Sequence, residues 1–175
     1  SLGLQPHAAH RLVTEELDKW AKLGVRGHFE TERPWAPYPD LLAGPMARLV
    51  GAQADEVVVM YGLTVNLHLF MTSFYRPTPQ RHKILIEEHA FPSDHFAVES
   101  QITTRGLDPA TSLVTVKPRP GEETLCTEDI VAASADNGPE LALVLLPGVQ
   151  YYTGQVLPMA EIVAAGHKAG AMVGL

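Results

Sequence analysis

Cysteine is almost absent from this 175-residue chain: Cys126 is its only one. That excludes an internal disulfide and any metal site built from several cysteines. Thr124 and Thr127 flank it without supplying a base, so it reads as a bystander. Basic charge is also scarce, with 13 Lys and Arg against 20 Asp and Glu for a formal charge of −7, and no basic cluster stands out. Nucleic acid and anionic membrane are therefore poor partners. No apolar run is long enough to span a bilayer, and Ser1-Leu2-Gly3-Leu4 has neither the basic nor the apolar region of a secretory signal, so a cytoplasmic protein is expected. The nucleotide marks GxxxxGK[ST] and GxGxxG do not occur, and neither does HExxH. Of the eight histidines, His7 and His10 share a helix face but lack acidic or cysteine partners at a ligating spacing, so no metal site is expected.

What is present is the composition of a globular protein, 46% apolar and long enough for a sizeable core. Pro6 and Gly24 bracket a helix over 6–23 with the apolar stripe Leu12, Val13, Leu17, Trp20 and Leu23, an amphipathic helix lying on something larger. Glu15–Lys19 and Asp18–Lys22 fall at i,i+4 spacing on its wet side. Between Gly24 and Asp40 glycines and prolines are too closely spaced for a regular element, so His28, Arg33 and Trp35 belong to a loop. A second helix covers 38–50, with Gly44-Pro45 kinking or breaking it. Beyond it short apolar strands alternate with helices: strand 56–60 and helix 63–75, strand 83–88 and helix 92–105, strand 112–116 and helix 127–135, strand 141–146 and helix 158–169, then a last strand from Ala171. Such alternation predicts a mostly parallel α/β sheet covered on both faces, with ligands at the carboxyl ends of its strands.

The organising stretch is 56–75, EVVVMYGLTVNLHLFMTSFY. The run Val57-Val58-Val59 leads through Gly62 into a helix opening at Leu63-Thr64, where unpartnered amides and the macrodipole form a site for an anion such as a phosphate. Thr64 can cap this helix and also offer its hydroxyl to the anion. His68 faces a hydrogen-bonding partner in the core. A second helix start follows strand 83–88 at Phe91-Pro92-Ser93-Asp94, with Pro92 suited to the first turn. Ser93-Asp94-His95 is no catalytic triad, because consecutive helical residues point in different directions. Phe91 is either a core plug, the choice composition favours, or a platform for a flat ring. His89 lies at the same edge. After the fourth strand, Pro147 to Gln155 carries two tyrosines, a threonine and two amides whose polar groups contact a ligand or satisfy the loop.

Together, Ser1-Leu2-Gly3-Leu4-Gln5, Arg33-Pro34-Trp35, Leu63-Thr64-Val65-Asn66-Leu67-His68, Phe91-Pro92-Ser93-Asp94-His95 and Tyr152-Thr153-Gly154-Gln155 resemble kynureninase, in the right order and over essentially the whole length. The resemblance implies a pyridoxal-phosphate enzyme of the aspartate-aminotransferase fold type that cleaves L-kynurenine, or its 3-hydroxy form, to an anthranilate and L-alanine. It assigns Leu63 and Thr64 to the cofactor's phosphate, Phe91 to stacking on its ring, and Pro92, Ser93 and Asp94 to its surroundings. Ser1 and His28 fall on the substrate side. Pro147 stands where some relatives have a cofactor-contacting serine.

By the same resemblance, the aspartate that pairs with the pyridinium nitrogen and the reactive lysine come after residue 175, and Lys117 and Lys168 are poor substitutes. The chain is thus expected to be the first part of a longer enzyme, inactive alone: a helical segment and substrate-side loop over 1–50 and the beginning of the cofactor-binding domain over 51–175. A homodimer is implied by family analogy. The competing readings are another enzyme of this fold, such as a cysteine desulfurase or aminotransferase, and a non-catalytic binding domain.

Overall fold

The computed structural model describes residues 3–175, which form two compact units divided between residues 60 and 61. In the first, α1 (Ala8–Leu23) is followed by a 3-10 turn at Gly24–His28, then α2 (Tyr38–Val50) and a short 3-10 turn at Ala54–Glu56. Helix α1 has no buried residue, and its stripe residues Val13, Leu17 and Trp20 are exposed. Its charges pair differently from the i,i+4 expectation. Glu15 binds Arg11 and Arg33, while Lys19 reaches Glu16 and the Arg33 carbonyl. The cause is Trp35, whose ring lies beneath Lys19 Nζ and whose Nε1 donates to Glu16 Oε2 at 2.6 Å. The 24–37 segment is therefore folded back on α1 rather than loose. Helix α2 passes through Pro45 without a break, leaving the Leu41 carbonyl without its helical donor.

The expected strand 56–60 does not form. Val57 follows the 3-10 turn in extended conformation, but residues 57–60 enter no ladder and Val58 is exposed. A β-branched run becomes a strand only beside a partner, and it finds none among the described residues.

The second unit contains α3 (Leu63–Phe74), β1 (Lys83–Glu87), α4 (Pro92–Thr104), the single turn α5 (Pro109–Ser112), β2 (Leu113–Val116), α6 (Thr127–Asp136), β3 (Leu141–Leu145), α7 (Met159–Lys168) and β4 (Met172–Gly174). The strands form one parallel sheet in the order β2-β1-β3-β4. Ile84 and Ile86 pack with Met71 of α3, its C-cap Tyr75, and Val98 and Ile102 of α4 on one face. Leu85 and Val144 pack with Ile130 and Ile162 of α6 and α7 on the other. Right-handed crossovers require this split, because α4 carries the chain one way along the sheet and α6 and α7 carry it back. The alternation in β3 slips once, with Ala142 and Leu143 on the same side. A register shift opposite Lys83 and Ile84 absorbs the extra residue. Around the core, Arg105 donates to the Met71, Thr72 and Tyr75 carbonyls at the end of α3, and Arg81 donates to those of Leu141 and Ala169. Among the described residues no helix is long and apolar enough to cross a membrane.

Candidate functional site

The strand order places a switch point between β1 and β3. From β1 the chain moves outward to β2, then returns past β1 to β3, so the connections leaving the carboxyl ends of β1 and β3 diverge and open a crevice between them. A cleft of about 340 Å³ lies there. Ile86 and Glu87 at the end of β1 and Leu145 to Pro147 at the end of β3 form its floor, while Leu63, Phe91 and Asp94 face it from two helix starts and Tyr151 from the loop after β3.

The start of α3 supplies backbone donors. Gly62 is the N-cap, no side chain caps the helix, and the first helical bond runs from Asn66 N to Gly62 O at 3.0 Å. The amides of Leu63, Thr64 and Val65 thus precede the first intrahelical bond, where the macrodipole also favours an anion. Thr64 is not the cap. It lies inside the first turn and is exposed, so the expected capping role falls away. Just before, Tyr61 has a φ of +27°, disfavoured for an aromatic residue. At the start of α4, Phe91 is the N-cap and Pro92 opens the helix. Asp94 N and His95 N both donate to the Phe91 carbonyl, and Ser93 Oγ donates to Asp94 Oδ1 at 3.1 Å.

Phe91 is not a core plug: it is 44% exposed and lines the cleft. Its ring meets that of Tyr151 edge-on, with centroids 5.0 Å apart and an interplanar angle of 82°. Electrostatically the cleft is one-sided, since its ionisable acids are Glu87 and Asp94 and no Lys or Arg lines it. Glu87 is 3% exposed. Burial raises its pKa, and the hydrogen bond from Gln150 partly opposes that rise. A flat, partly cationic ring against Phe91, with an anionic tail at the first turn of α3, fits this arrangement.

Of the expected site residues, Leu63, Phe91 and Asp94 face one cleft, with Thr64, Pro92 and Ser93 adjoining them along the chain. Pro147 also lines it, offering neither hydroxyl nor N–H. His28 belongs to the first unit, where its ring meets Trp35 edge-on at 5.1 Å. Ser1 lies outside the described residues. His68 has the core partner expected, its Nδ1 lying 2.9 Å from Gln101 Nε2. His89 is exposed beside Glu88 on a second hollow. Glu87 was not anticipated as part of the site, and Gln150 only as one of two amides that contact a ligand or satisfy their loop. The signal available was a carboxylate closing the apolar run KILIE, just ahead of Glu88, at a strand's ligand end.

No protein-family model matches the chain. It is 55% identical over 174 residues to the kynureninase of Salinispora tropica, covering 99% of this chain and 41% of that protein. With the kynureninase of Nematostella vectensis it shares 51% identity over 174 residues, 99% of this chain and 37% of that one. In sequence, the chain matches kynureninases. It spans about two fifths of the length of these kynureninases. In fold it is similar to a mutant of C-DES with glycine covalently linked to its pyridoxal-phosphate cofactor, with a TM-score of 0.75 and 17% identity, covering 98% of this chain and 43% of that one. The α/β architecture is therefore that of the fold-type-I pyridoxal-phosphate enzymes.

Proposed function

We propose that the full-length protein is a kynureninase-type hydrolase that uses pyridoxal phosphate to cleave the Cβ–Cγ bond of L-kynurenine, or its 3-hydroxy form, giving anthranilate or 3-hydroxyanthranilate and L-alanine. The observation that carries this reading is the 55% identity over 174 residues to a kynureninase. It is supported by the meeting of Leu63, Phe91 and Asp94 on one cleft at the sheet's switch point. When bound, the cofactor supplies an electron sink for the carbon–carbon cleavage.

The chain's own residues bind and orient. The amides of Leu63 and Thr64 take the phosphate, with the Thr64 hydroxyl as a further donor. Phe91 lies against the ring, and Pro92, Ser93 and Asp94 flank it with a polar, negatively charged edge. The apolar walls, Leu67 and Leu145 among them, keep water from the ring. Ser1 and His28 serve the substrate side. Residues 1–50 provide the substrate-side segment and 51–175 the first part of the cofactor domain, while the reactive lysine follows residue 175. The segment by itself is inactive. A cytoplasmic homodimer working in tryptophan breakdown and NAD biosynthesis completes the proposal.

The test is incubation of the full-length protein with L-kynurenine and pyridoxal phosphate. Release of fluorescent anthranilate and of alanine is expected. Sulfide release from cysteine, amino-group transfer, or failure to bind the cofactor overturns the reading in favour of a desulfurase, an aminotransferase or a binding domain respectively.

A further inference from the structure

The segment between β3 and α7 forms one wall of the cleft, with its ends anchored in the core by Leu146 and Leu157. Val149 and Val156 make an isolated antiparallel bridge, and Gln150 N donates to Gln155 O at 2.9 Å. Gln155 holds the far side of this turn, accepting from Leu125 N and donating to Leu125 O, and the tie from the turn to the end of β1 is the Gln150 side chain. Gln150 is 4% exposed, and its Oε1 accepts from the amides of Tyr152 and Thr153 at 2.6 and 2.9 Å. Its Nε2 donates to Glu87 Oε1 at 3.3 Å and to the His89 carbonyl at 3.1 Å. One amide thus folds the loop's own turn and fastens it to the end of β1 and the start of the β1–α4 connection.

The residue fastened next is Tyr151, whose ring stands edge-on to Phe91. Phe91 is the N-cap of α4 and nearly half exposed, and its edge-on contact with Tyr151 restricts its rotation. Such edge-to-face pairs are oriented by the ring quadrupoles. Asparagine at position 150 is a methylene shorter than glutamine and falls short of Glu87. Glutamate fits the space but has no hydrogen to donate and sets a second carboxylate against the first.

We propose that Gln150, braced on the buried side chain of Glu87, is a positioning residue for the cofactor ring: it fixes the loop so that Tyr151 sets the plane of Phe91. This rests on the reading that Phe91 lies against the ring of pyridoxal phosphate.

The experiment titrates the full-length protein with pyridoxal phosphate, recording the dissociation constant and the circular-dichroism band of the bound cofactor, with thermal melts to verify folding. Gln150→Glu is expected to weaken binding about fivefold, the size of a lost aromatic pair, and to shrink the band. Pairing it with Glu87→Gln, which returns a donor to the contact, restores most of both. Tyr151→Leu changes an exposed side chain that no buried bond depends on, and should match Gln150→Glu even where the latter folds poorly. With Phe91→Leu already in place, neither change adds to the loss. If Gln150→Glu and Tyr151→Leu leave the constant and the band unchanged, or their losses add in full to that of Phe91→Leu, the positioning role is refuted while the cofactor assignment stands. If Phe91→Leu itself changes neither readout, the ring is not held at Phe91 and both readings fall.

Discussion

Replacing Thr64 with valine separates a phosphate ligand from an ordinary helix residue. In the structure no side chain caps α3, the first intrahelical bond starts only at Asn66, and Thr64 is exposed in the first turn. The substitution keeps the β-branched shape and the amide and removes only the hydroxyl. An exposed helical position without other duties tolerates such a change to within about 0.5 kcal/mol. A hydroxyl donating to a dianionic phosphate contributes more, about 1.5–3 kcal/mol for a hydrogen bond to a charged group, which corresponds to about 10–150-fold in affinity. Thr64→Ser retains the donor and is expected to stay within about threefold of the parent. The assay is spectrophotometric titration of the full-length apoprotein with pyridoxal phosphate and, in parallel, with pyridoxal, which lacks the phosphate. Thr64→Val should weaken the first strongly and the second little. Equal losses for both ligands, or no loss for either, would refute the assignment of the first turn of α3 to the phosphate.

Three further outcomes test the fold around that site. Glu87→Gln keeps an acceptor for Gln150 and removes a buried ionisation. Because the folded protein holds the Glu87 proton to higher pH than the unfolded chain does, the parent loses stability as pH rises from the unfolded value of about 4.3 to the raised folded one. The variant's melting temperature should therefore gain on the parent's across that window and level off above it. Ile162→Ala empties a fully buried position in the α6–α7 side of the core. It should cost about 2–5 kcal/mol in denaturant unfolding of the full-length protein. Gly27→Ala sets a methyl within 2.8 Å of the Trp35 ring. A loss of about 1–3 kcal/mol is expected, with altered tryptophan fluorescence as the ring moves.

Much of this architecture was legible in the sequence where one apolar run serves one buried element. KILIE and LALVL are too short for helices and too apolar for loops, and both are strands buried on two faces. Pro92 marks a helix start. The valine run at 57–59 misleads for a reason outside itself, since local preference says nothing about whether a partner strand lies alongside. Trp35 explains the other misreading of the first unit. A single ring, bonded to Glu16 and lying beneath Lys19, draws Lys19 away from Glu15, and spacing along one helix carries no trace of such a contact. At the site, Leu63, Phe91 and Asp94 follow from helix starts at the ligand edge of a parallel sheet. The exposure of Phe91 does not follow from composition, because what stands beside it is Tyr151, sixty residues later in the chain. Gln150 escapes sequence reasoning on similar grounds. Its role depends on reaching Glu87 across the sheet edge.

The central claim is that the first turn of α3 and the ring of Phe91 hold the two ends of one cofactor. A crystal structure of the full-length protein with pyridoxal phosphate tests it most directly. The phosphate oxygens are expected within about 3 Å of the Leu63 and Thr64 amides, with the pyridine ring parallel to Phe91 and Asp94 at its edge. A phosphate bound away from α3, or a ring that does not touch Phe91, would contradict it.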